Sequence, residues 1–165
     1  MEKSKAKLYL MMGIPGSGKS TYLKTRFTNI PCVISRDEIR FSLIREDEEY
    51  FSHENEVYRE FIGQIKDALR FETEVFVDAT HLNESSRAKV LRSLGESLKN
   101  VEVNVIWVRV PLETALAQNE NRKGTRAYVP KSVIRRMHSQ TTAPSKEEGF
   151  EHIYVVENGR EKEIE

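Results

Sequence analysis

The segment Gly13-Ile14-Pro15-Gly16-Ser17-Gly18-Lys19-Ser20 carries the most specific pattern in this sequence. It matches G-x-x-x-x-G-K-[S/T] in full, an apolar run precedes it, and a helical pattern follows it. Glycines allow the backbone to fold around a phosphate group with its N–H groups pointing inward, and the positive end of the following helix dipole adds to the attraction. The sequence therefore predicts a phosphate-binding loop between a strand and a helix.

The residue types in this loop predict a nucleoside triphosphate site. We expect Lys19 to lie between the β- and γ-phosphates and the Ser20 hydroxyl to hold Mg²⁺. The other residues predicted to bind the nucleotide are Gly13, Pro15, Gly16, Ser17, Gly18 and Thr21. ATP and Mg²⁺ are therefore the predicted cofactors. Because such loops occur in motors, switches and transferases alike, this loop does not identify the second substrate.

Five short apolar runs, rich in Val, Ile, Tyr or Phe, predict strands at residues 7–12, 32–35, 74–78, 103–110 and 152–156. They are continuous rather than alternating, which is typical of parallel strands that are buried on both faces. Helical patterns lie between them, at residues 19–27, 37–44, 53–71, 84–98, 112–121 and 130–140. We therefore predict one α/β domain over residues 1–165, of the P-loop NTPase type, in which helices sandwich a five-stranded parallel sheet.

Composition excludes several classes of protein. The chain has 165 residues, 26 of them Lys or Arg and 26 Asp or Glu, so its net charge is zero. A protein held to nucleic acid by bulk positive charge is therefore excluded, although a local basic patch is not. No apolar run approaches the ~18 residues of a membrane span, and Cys32 is the only cysteine. We expect a soluble cytoplasmic protein that does not act at a membrane.

A cluster after the second predicted strand provides a candidate general base. Ser35 and Glu38 form a capping-box pattern, which predicts that a helix begins here. Asp37 and Arg40 then lie three residues apart and share one helix face. The carboxylate of Asp37 is suited to take a proton from an attacking hydroxyl, and Arg40 is suited to bind a phosphate of the acceptor. The alternative is that Asp37 only complements the helix dipole while Arg40 is solvated.

A second acid follows the third predicted strand. Asp78 ends the apolar run 74–78, and we expect it to hold metal-bound water or to orient Lys19. The alternative is a turn-initiating aspartate. His81 lies three residues later, where a structural or solvent-facing histidine is the simpler interpretation.

Residues 119–140 predict a small basic lid. Basic side chains dominate residues 120–138, whereas residues 45–60 are acidic. Gly124 offers a hinge, and Arg122 and Arg126 lie four residues apart, so they could reach over a triphosphate. A lid of this kind neutralises charge during phosphoryl transfer and excludes water from the site. The alternative is a solvated basic face.

These segments together resemble a known family. The matching stretches are 13–21 (GIPGSGKST), 35–40 (SRDEIR), 77–87 (VDATHLNESSR), 121–137 (NRKGTRAYVPKSVIRRM) and 148–156 (EGFEHIYVV). They are similar to the kinase domain of phage and bacterial polynucleotide 5′-kinases, within the adenylate-kinase-like P-loop phosphotransferases. The first stretch is generic to P-loop proteins, whereas the second and third in this order and spacing are more specific.

The resemblance implies a role for each matching residue. Asp37 is implied to be the general base on the 5′-hydroxyl, and Arg40 to grip the neighbouring phosphate. Asp78 is implied to support the acceptor, and Arg87, which also falls at a family position, is implied to bind the substrate. A lid arginine, Arg122 or Arg126, is implied to stabilise the transferring phosphoryl group. The chain departs from the family where His81 replaces the usual Asn and where Lys123 lies beside the arginine position.

Three functions remain open from the sequence. The leading one is ATP- and Mg²⁺-dependent transfer of the γ-phosphoryl group to a 5′-hydroxyl end of DNA or RNA. The second is a P-loop kinase that acts on a small hydroxylated metabolite or a nucleoside. The third is a nucleotide-gated ATPase or switch module, although no obvious Glu or Gln follows Asp78 to position a water molecule.

Overall fold

The computed structural model describes residues 5–26 and 31–165. Within these residues, six strands form one sheet: β1 (Ala6–Met12), β2 (Cys32–Ser35), β3 (Glu74–Asp78), β4 (Val101–Val108), β5 (His152–Glu157) and β6 (Arg160–Ile164). Their order across the sheet is β2-β3-β1-β4-β5-β6. The first five strands pair in parallel, and β6 pairs antiparallel with β5.

Helices connect the parallel strands. They are α1 (Lys19–Arg26), α2 (Arg36–Leu43), α3 (Glu54–Phe71), α4 (Glu84–Leu94), α5 (Leu112–Glu120) and α6 (Lys131–Ser139). The predicted helix 84–98 changes to a 3-10 turn at Gly95, and the predicted end of the first helix at Phe27 lies outside the described residues. The predicted P-loop α/β fold is confirmed. Among the described residues, no helix is long and apolar enough to cross a membrane.

The prediction of a five-stranded sheet was wrong in one respect, because the charged segment Arg160–Ile164 forms a sixth strand. A two-residue turn at Asn158 and Gly159 joins it to β5, and both turn residues have positive φ angles, of 51° and 76°. This is the geometry of a tight β-hairpin. The side chains of β6 are mostly exposed, so the strand is specified by its backbone hydrogen bonds and by the turn.

Both faces of the sheet are covered, as its continuous apolar strands require. On one face, alternate strand residues such as Leu8 and Leu10 pack against Val57 and Phe61 of α3 and against Leu94 of α4. On the other face, Met11, Phe76 and Ile106 pack against Leu23 of α1. A third apolar cluster, Ile14, Leu82, Ala115 and Ile134, joins α5 and α6 to the phosphate-binding loop. The sheet therefore fixes the loop, and this cluster fixes the base of the predicted lid.

The carboxyl edge of the parallel sheet carries the candidate site. Lys19 begins α1 directly after β1, Asp37 lies in the first turn of α2 after β2, and Asp78 is the last residue of β3. In the strand registers, Met11 and Ser35 are both aligned with Asp78. Parallel strands bring these connections to one end of the molecule, where ligands bind in open α/β sheets.

Candidate active site

The phosphate-binding loop packs closely against α5. A Cβ atom at Gly16 would lie 2.3 Å from the carbonyl oxygen of Ala115, and its φ angle of +86° is one that other residues rarely adopt. Glycine is therefore required at this position by both space and conformation. The ammonium group of Lys19 donates hydrogen bonds to the carbonyl oxygens of Gly13 (2.7 Å) and Ile14 (3.3 Å). These bonds hold Lys19 across the loop that a phosphate would occupy.

The pKa of Lys19 depends on charged groups from three other parts of the site. Desolvation lowers the pKa of Lys19, the carboxylates of Asp78 and Asp37 oppose this shift, and the charge of Arg122 adds to it. The loop, the two acids and the lid arginine therefore lie within electrostatic reach of one another. A bound triphosphate would supply the negative charge that such a partly desolvated ammonium group favours.

Ser20 and Asp78 form a pair of oxygen ligands. The Ser20 hydroxyl donates a hydrogen bond of 3.0 Å to Oδ2 of Asp78. Mg²⁺ prefers hydroxyl, carboxylate, phosphate and water oxygens, so the chemistry of this pair fits the predicted ion. Ser20, the second residue of α1, and Asp78, the last residue of β3, would hold it beside Lys19.

Asp37 belongs to a network of four further side chains. Arg40 and the Tyr50 hydroxyl both donate to Oδ1 of Asp37. Arg40 also donates to both oxygens of Glu54, at 2.7 and 3.1 Å, and Arg36 donates to Glu54 at 3.2 Å. Both bonds of Asp37 within the described residues use Oδ1, which leaves Oδ2 to accept a bond from a bound hydroxyl.

The contacts of Arg40 differ from those of the phosphate-binding residue that the resemblance implies. The side chain of Arg40 is only 5% exposed, and it already forms a bidentate ion pair with Glu54. Its charge is further offset by Asp37. In this arrangement Arg40 orients the two carboxylates, and only a small part of its guanidinium group faces an acceptor.

The two lid arginines have different partners. Both line the same cavity as Lys19 and Asp37, and the charge of Arg122 helps to lower the pKa of Lys19. The guanidinium of Arg126 donates to the carbonyl oxygens of Phe41 (3.3 Å) and Ile44 (3.1 Å), at the end of α2. Lys123 is exposed and does not line the cavity. Of the two arginines of the predicted lid, Arg122 is therefore the one whose charge affects Lys19, and Arg126 ties the predicted lid segment to α2.

Two cavities flank the phosphate-binding loop. One has a volume of about 510 Å³, and the residues that line it include Lys19, Ser20, Asp37, Arg40, Tyr50, Phe51, Asp78, Arg122, Arg126 and Met137. The other has a volume of about 650 Å³, and the residues that line it include Ser17, Thr21, Arg109, Thr114, Gln118, Val156, Asn158 and Glu161. Gly18 lines both cavities. The loop thus separates two spaces, each large enough for a small ligand.

Arg87 does not join this group, contrary to the substrate-binding role that the resemblance implies. Its side chain is 0% exposed and forms a salt bridge with Glu148 at 2.8 Å. It also donates to the carbonyl oxygens of His81 (3.0 Å) and Thr142 (3.1 Å). Because a buried and fully engaged guanidinium cannot meet a substrate, Arg87 stabilises the fold behind the site.

His81 is buried as well, which agrees with the structural interpretation of this residue. Its Nδ1–H donates to the carbonyl oxygen of Met11 at 2.5 Å, and desolvation lowers its pKa to about 4. The backbone at His81 has a φ angle of +45°, in the left-handed region where Asn is more common than His. His81 is therefore neutral at physiological pH and faces the interior.

A comparison with protein-family models decides the relationship. The model described as an AAA domain matches residues 8–144, which is most of the chain. The chain belongs to the AAA domain family. Comparison with curated protein sequences yields no match.

Several solved structures share the fold of this AAA domain. A chain of the Pnkp1/Rnl/Hen1 RNA repair complex matches with 22% identity and a TM-score of 0.62, over 84% of this chain and 45% of that chain. A sugar kinase from Janibacter sp. matches with 16% identity and a TM-score of 0.63, over 92% and 84%. A gluconokinase from Sinorhizobium meliloti matches with 16% identity and a TM-score of 0.56, over 94% and 85%.

These matches confirm the predicted P-loop kinase-like fold. Such a fold implies that this AAA domain binds a nucleotide. It spans 45% and 40% of the lengths of the two Pnkp1/Rnl/Hen1 chains that it matches. The sugar kinases share the fold at similar TM-scores, so the fold alone does not select the acceptor.

Sequence reasoning missed several residues that line the cavities of this AAA domain. Glu54 and Tyr50 bond to Arg40 and Asp37, but they lie 14 and 13 residues away from these partners in the chain. Their positions depend on how α2 packs on α3, which no local pattern encodes. Asn158 lines the other cavity, and the Asn-Gly turn that places it is a signal that the sequence does contain.

Proposed function

We propose that this AAA domain transfers the γ-phosphoryl group of ATP, with Mg²⁺, to a 5′-hydroxyl end of DNA or RNA. One observation carries the proposal: Asp37, with one carboxylate oxygen unengaged, lines the same cavity of about 510 Å³ as Lys19, Ser20 and Arg122. A candidate base, a phosphate-binding loop and a lid cation thus surround a space in which an acceptor hydroxyl can meet a phosphate.

The second cavity supports a position for the nucleoside part of ATP. It lies on the other flank of the loop, and Gly18 borders both cavities. A triphosphate that passes Gly18 would have its adenosine among Thr114, Gln118 and Asn158 and its γ-phosphate beside Lys19. The donor and the acceptor would then enter from opposite sides of the loop, as in-line transfer requires.

In the proposed reaction, side chains of this chain accept the proton of the acceptor and offset part of the negative charge. The acceptor oxygen attacks the γ-phosphorus, and the bond from that phosphorus to the β,γ-bridging oxygen breaks, which releases ADP. Oδ2 of Asp37 accepts the proton of the hydroxyl, while Arg40 and Tyr50 hold the same carboxylate through Oδ1. Lys19 and Arg122 offset the negative charge on the transferring group. Mg²⁺, held by Ser20 and Asp78, would add further charge neutralisation.

A polynucleotide acceptor is supported by the resemblance of the sequence motifs at residues 35–40 and 77–87 to those of polynucleotide 5′-kinases. Two basic side chains of the predicted lid, Arg122 and Arg126, line the cavity of about 510 Å³, which we call the acceptor cavity, and they suit an anionic substrate. The solved structure of the Pnkp1/Rnl/Hen1 complex, which is described as an RNA repair complex, has the same fold.

A specific observation also favours the second candidate, a small hydroxylated metabolite or a nucleoside. The charge of Arg40 is already offset by Glu54 and Asp37, which leaves little attraction for an acceptor phosphate. The neighbouring segment 46–49 carries four acidic residues and would repel a polyanion. Both candidates require the same base, loop and lid, and they differ only in the acceptor.

An acceptor panel tests the proposal. The protein would be incubated with ATP labelled in its γ-phosphate, Mg²⁺ and one of four acceptors: a 5′-hydroxyl oligonucleotide, the same oligonucleotide with a 5′-phosphate, a nucleoside, or gluconate. We expect label on the 5′-hydroxyl oligonucleotide and none on its 5′-phosphorylated form. Label on gluconate or the nucleoside alone would establish the second candidate. ATP hydrolysis with no labelled acceptor would instead support the switch or ATPase alternative. Lys19→Ala is the control that should abolish all nucleotide-dependent chemistry.

A further inference from the structure

Phe51 is an exposed aromatic side chain at the acceptor cavity. Its exposed fraction is 58%, and only Phe71, at 78%, is more exposed among the large apolar side chains of the described residues. Phe51 lines the cavity that contains Lys19 and Asp37, whereas Phe71 ends α3 and lines neither cavity. A large apolar surface left open at the rim of a polar cavity marks a place where a ligand packs.

Phe51 is held at a fixed place relative to Asp37. The rings of Tyr50 and Phe51 lie 4.6 Å apart at an interplanar angle of 87°. The hydroxyl of Tyr50 bonds to Asp37, and the guanidinium of Arg40 lies 4.0 Å from the centre of the Tyr50 ring. The side chain of Tyr50 alone therefore spans the distance from the carboxylate of Asp37, the candidate general base, to the ring of Phe51. A nucleoside spans a comparable distance from its 5′-hydroxyl to its base.

The segment that carries Phe51 is structured rather than loose. The carboxylate of Glu48 accepts hydrogen bonds from the backbone N–H of Arg45, at 3.0 Å, and from His53. The backbone N–H of Ser52 donates to the carbonyl oxygen of Glu49 at 3.0 Å. The exposure of Phe51 is thus built into a fixed turn, and the ring is presented to the cavity mouth.

We propose that Phe51, backed by Tyr50, is the platform on which the base of the acceptor stacks while its sugar hydroxyl reaches Asp37. This inference rests on the proposed function and narrows the acceptor to one in which a base is attached to the hydroxyl-bearing sugar. The source is either a free nucleoside or the 5′-terminal nucleotide of a polymer. Stacking on an aromatic ring accepts every base, because every base has a π-face, so the platform selects for a base without selecting its sequence.

The charges around Phe51 favour a nucleobase over a phosphate or a sugar acid at this position. Glu46, Asp47 and Glu49 precede it in the chain, and Glu54 follows it as the partner of Arg40. Such a surrounding repels an anionic group, whereas a neutral planar ring is unaffected. The guanidinium of Arg40 lies 5.8 Å from the centre of the Phe51 ring, but its charge is already offset by Glu54 and Asp37, so this rim offers an anionic group little attraction.

Substitution of Phe51 tests the platform. We expect Phe51→Ala to raise the KM for a 5′-hydroxyl oligonucleotide or a nucleoside by roughly tenfold to a hundredfold, since base–aromatic stacking is worth about that factor in affinity. Phe51→Trp should preserve or lower the KM. Phe71→Ala, which removes a still more exposed ring that lines neither cavity, is the matched control and should leave the KM unchanged. An oligonucleotide with an abasic 5′-terminal residue should bind poorly to the unaltered protein and should be insensitive to Phe51→Ala.

The outcomes separate this inference from the proposed function. If an abasic end is phosphorylated with the same KM as a normal end, or if Phe51→Ala behaves like Phe71→Ala, the platform does not exist even though the kinase activity stands. If no acceptor is phosphorylated, the proposed function fails. Direct binding of the normal and abasic oligonucleotides, measured by fluorescence anisotropy, would still decide the platform: equal binding overturns it, and Phe51-dependent binding of the normal end supports it.

Discussion

Asp37 uses one carboxylate oxygen to accept hydrogen bonds from Arg40 and Tyr50. Its other oxygen is the one we assign to the acceptor proton. Because Asn has the same shape but cannot take a proton, we expect Asp37→Asn to lower turnover by about 10²- to 10⁴-fold. ATP binding should be preserved, since the predicted nucleotide contacts lie in residues 13–21. Steady-state kinetics and an ATP titration would check both, and full activity of Asp37→Asn would remove Asp37 from the role of base.

His81 makes the stability of the fold depend on pH. Its pKa is about 4 in the folded chain, whereas the ordinary value is 6.5, so between these values the unfolded chain binds a proton that the folded chain does not. Stability is therefore highest above 6.5 and decreases as the pH falls toward 4. We expect the unaltered protein to lose about 2 kcal/mol more than His81→Asn when the pH falls from about 7 to about 5.

The backbone at His81 has a positive φ angle that Asn tolerates well, so His81→Asn should fold. Urea unfolding of both proteins at the two pH values would measure the difference. Carboxylates elsewhere titrate identically in both proteins and cancel in this comparison. Parallel pH profiles of the two proteins would show that His81 is not the buried, neutral group described here.

Residues whose roles depend on local pattern were found from the sequence, and residues whose roles depend on packing were not. Lys19 and Ser20 follow directly from the glycine pattern, and Asp78 follows from the end of an apolar strand. The structure brings these three together, and their roles remain predictions. Glu54, in contrast, is one of many acids in residues 45–60, and only its contact with Arg40 distinguishes it. The predicted substrate-binding role of Arg87 was wrong, because no sequence pattern shows that this side chain is buried against Glu148.

At the scale of elements, the apolar strands and the helix caps agreed with the structure. Ser35 caps α2 through its side chain, as its sequence pattern predicts. Asn83 caps α4 within a capping box. Strand β6 was missed because its charged residues Arg160–Ile164 resemble a solvated end. Backbone pairing to β5 and the Asn-Gly turn were sufficient to form it. Hydrophobic pattern therefore identifies buried strands but not an exposed edge strand.

Arg126 connects the predicted lid to α2, the helix that carries Asp37. It donates to two carbonyl oxygens at the end of that helix, and it lies 4.7 Å from the centre of the Phe41 ring. Loss of these contacts should let water reach the phosphate more often, because lids exclude water during transfer. We expect Arg126→Gln to raise ATP hydrolysis relative to phosphoryl transfer by roughly threefold to tenfold, since each hydrogen bond is worth about 1 kcal/mol.

The matched control for the lid is Lys123→Gln, which removes one positive charge from an exposed residue of the same segment. The ratio of released phosphate to phosphorylated acceptor, measured in one reaction, is the readout. If Lys123→Gln and Arg126→Gln change this ratio equally, lid charge alone is responsible and Arg126 does not tie the lid to α2.

At the scale of the whole molecule, the net charge is zero, but the acceptor cavity is lined by groups of both signs of charge. The predicted lid contributes Arg122 and Arg126 to its lining, and Asp37 and Glu54 also line it. The acidic segment 46–49 precedes the lining residue Tyr50 in the chain. A polymer with many phosphates cannot lie along these acidic residues without repulsion. If the acceptor is a polynucleotide, its first nucleotide enters the cavity while the rest of the strand leaves along the lid side.

This charge distribution predicts a weak dependence of acceptor affinity on salt. Each phosphate contacted in a single strand contributes a slope of about 0.7 to the plot of log KM against log salt. Because Arg40 is paired with Glu54, we expect no more than about two contacted phosphates, and therefore a slope of about 1.4 or less. A nucleoside acceptor, which has no phosphate, should show no slope and serves as the control. A slope above about 3, or a KM that keeps falling as the oligonucleotide lengthens past a few nucleotides, would mean that the protein grips the polymer along an extended basic surface.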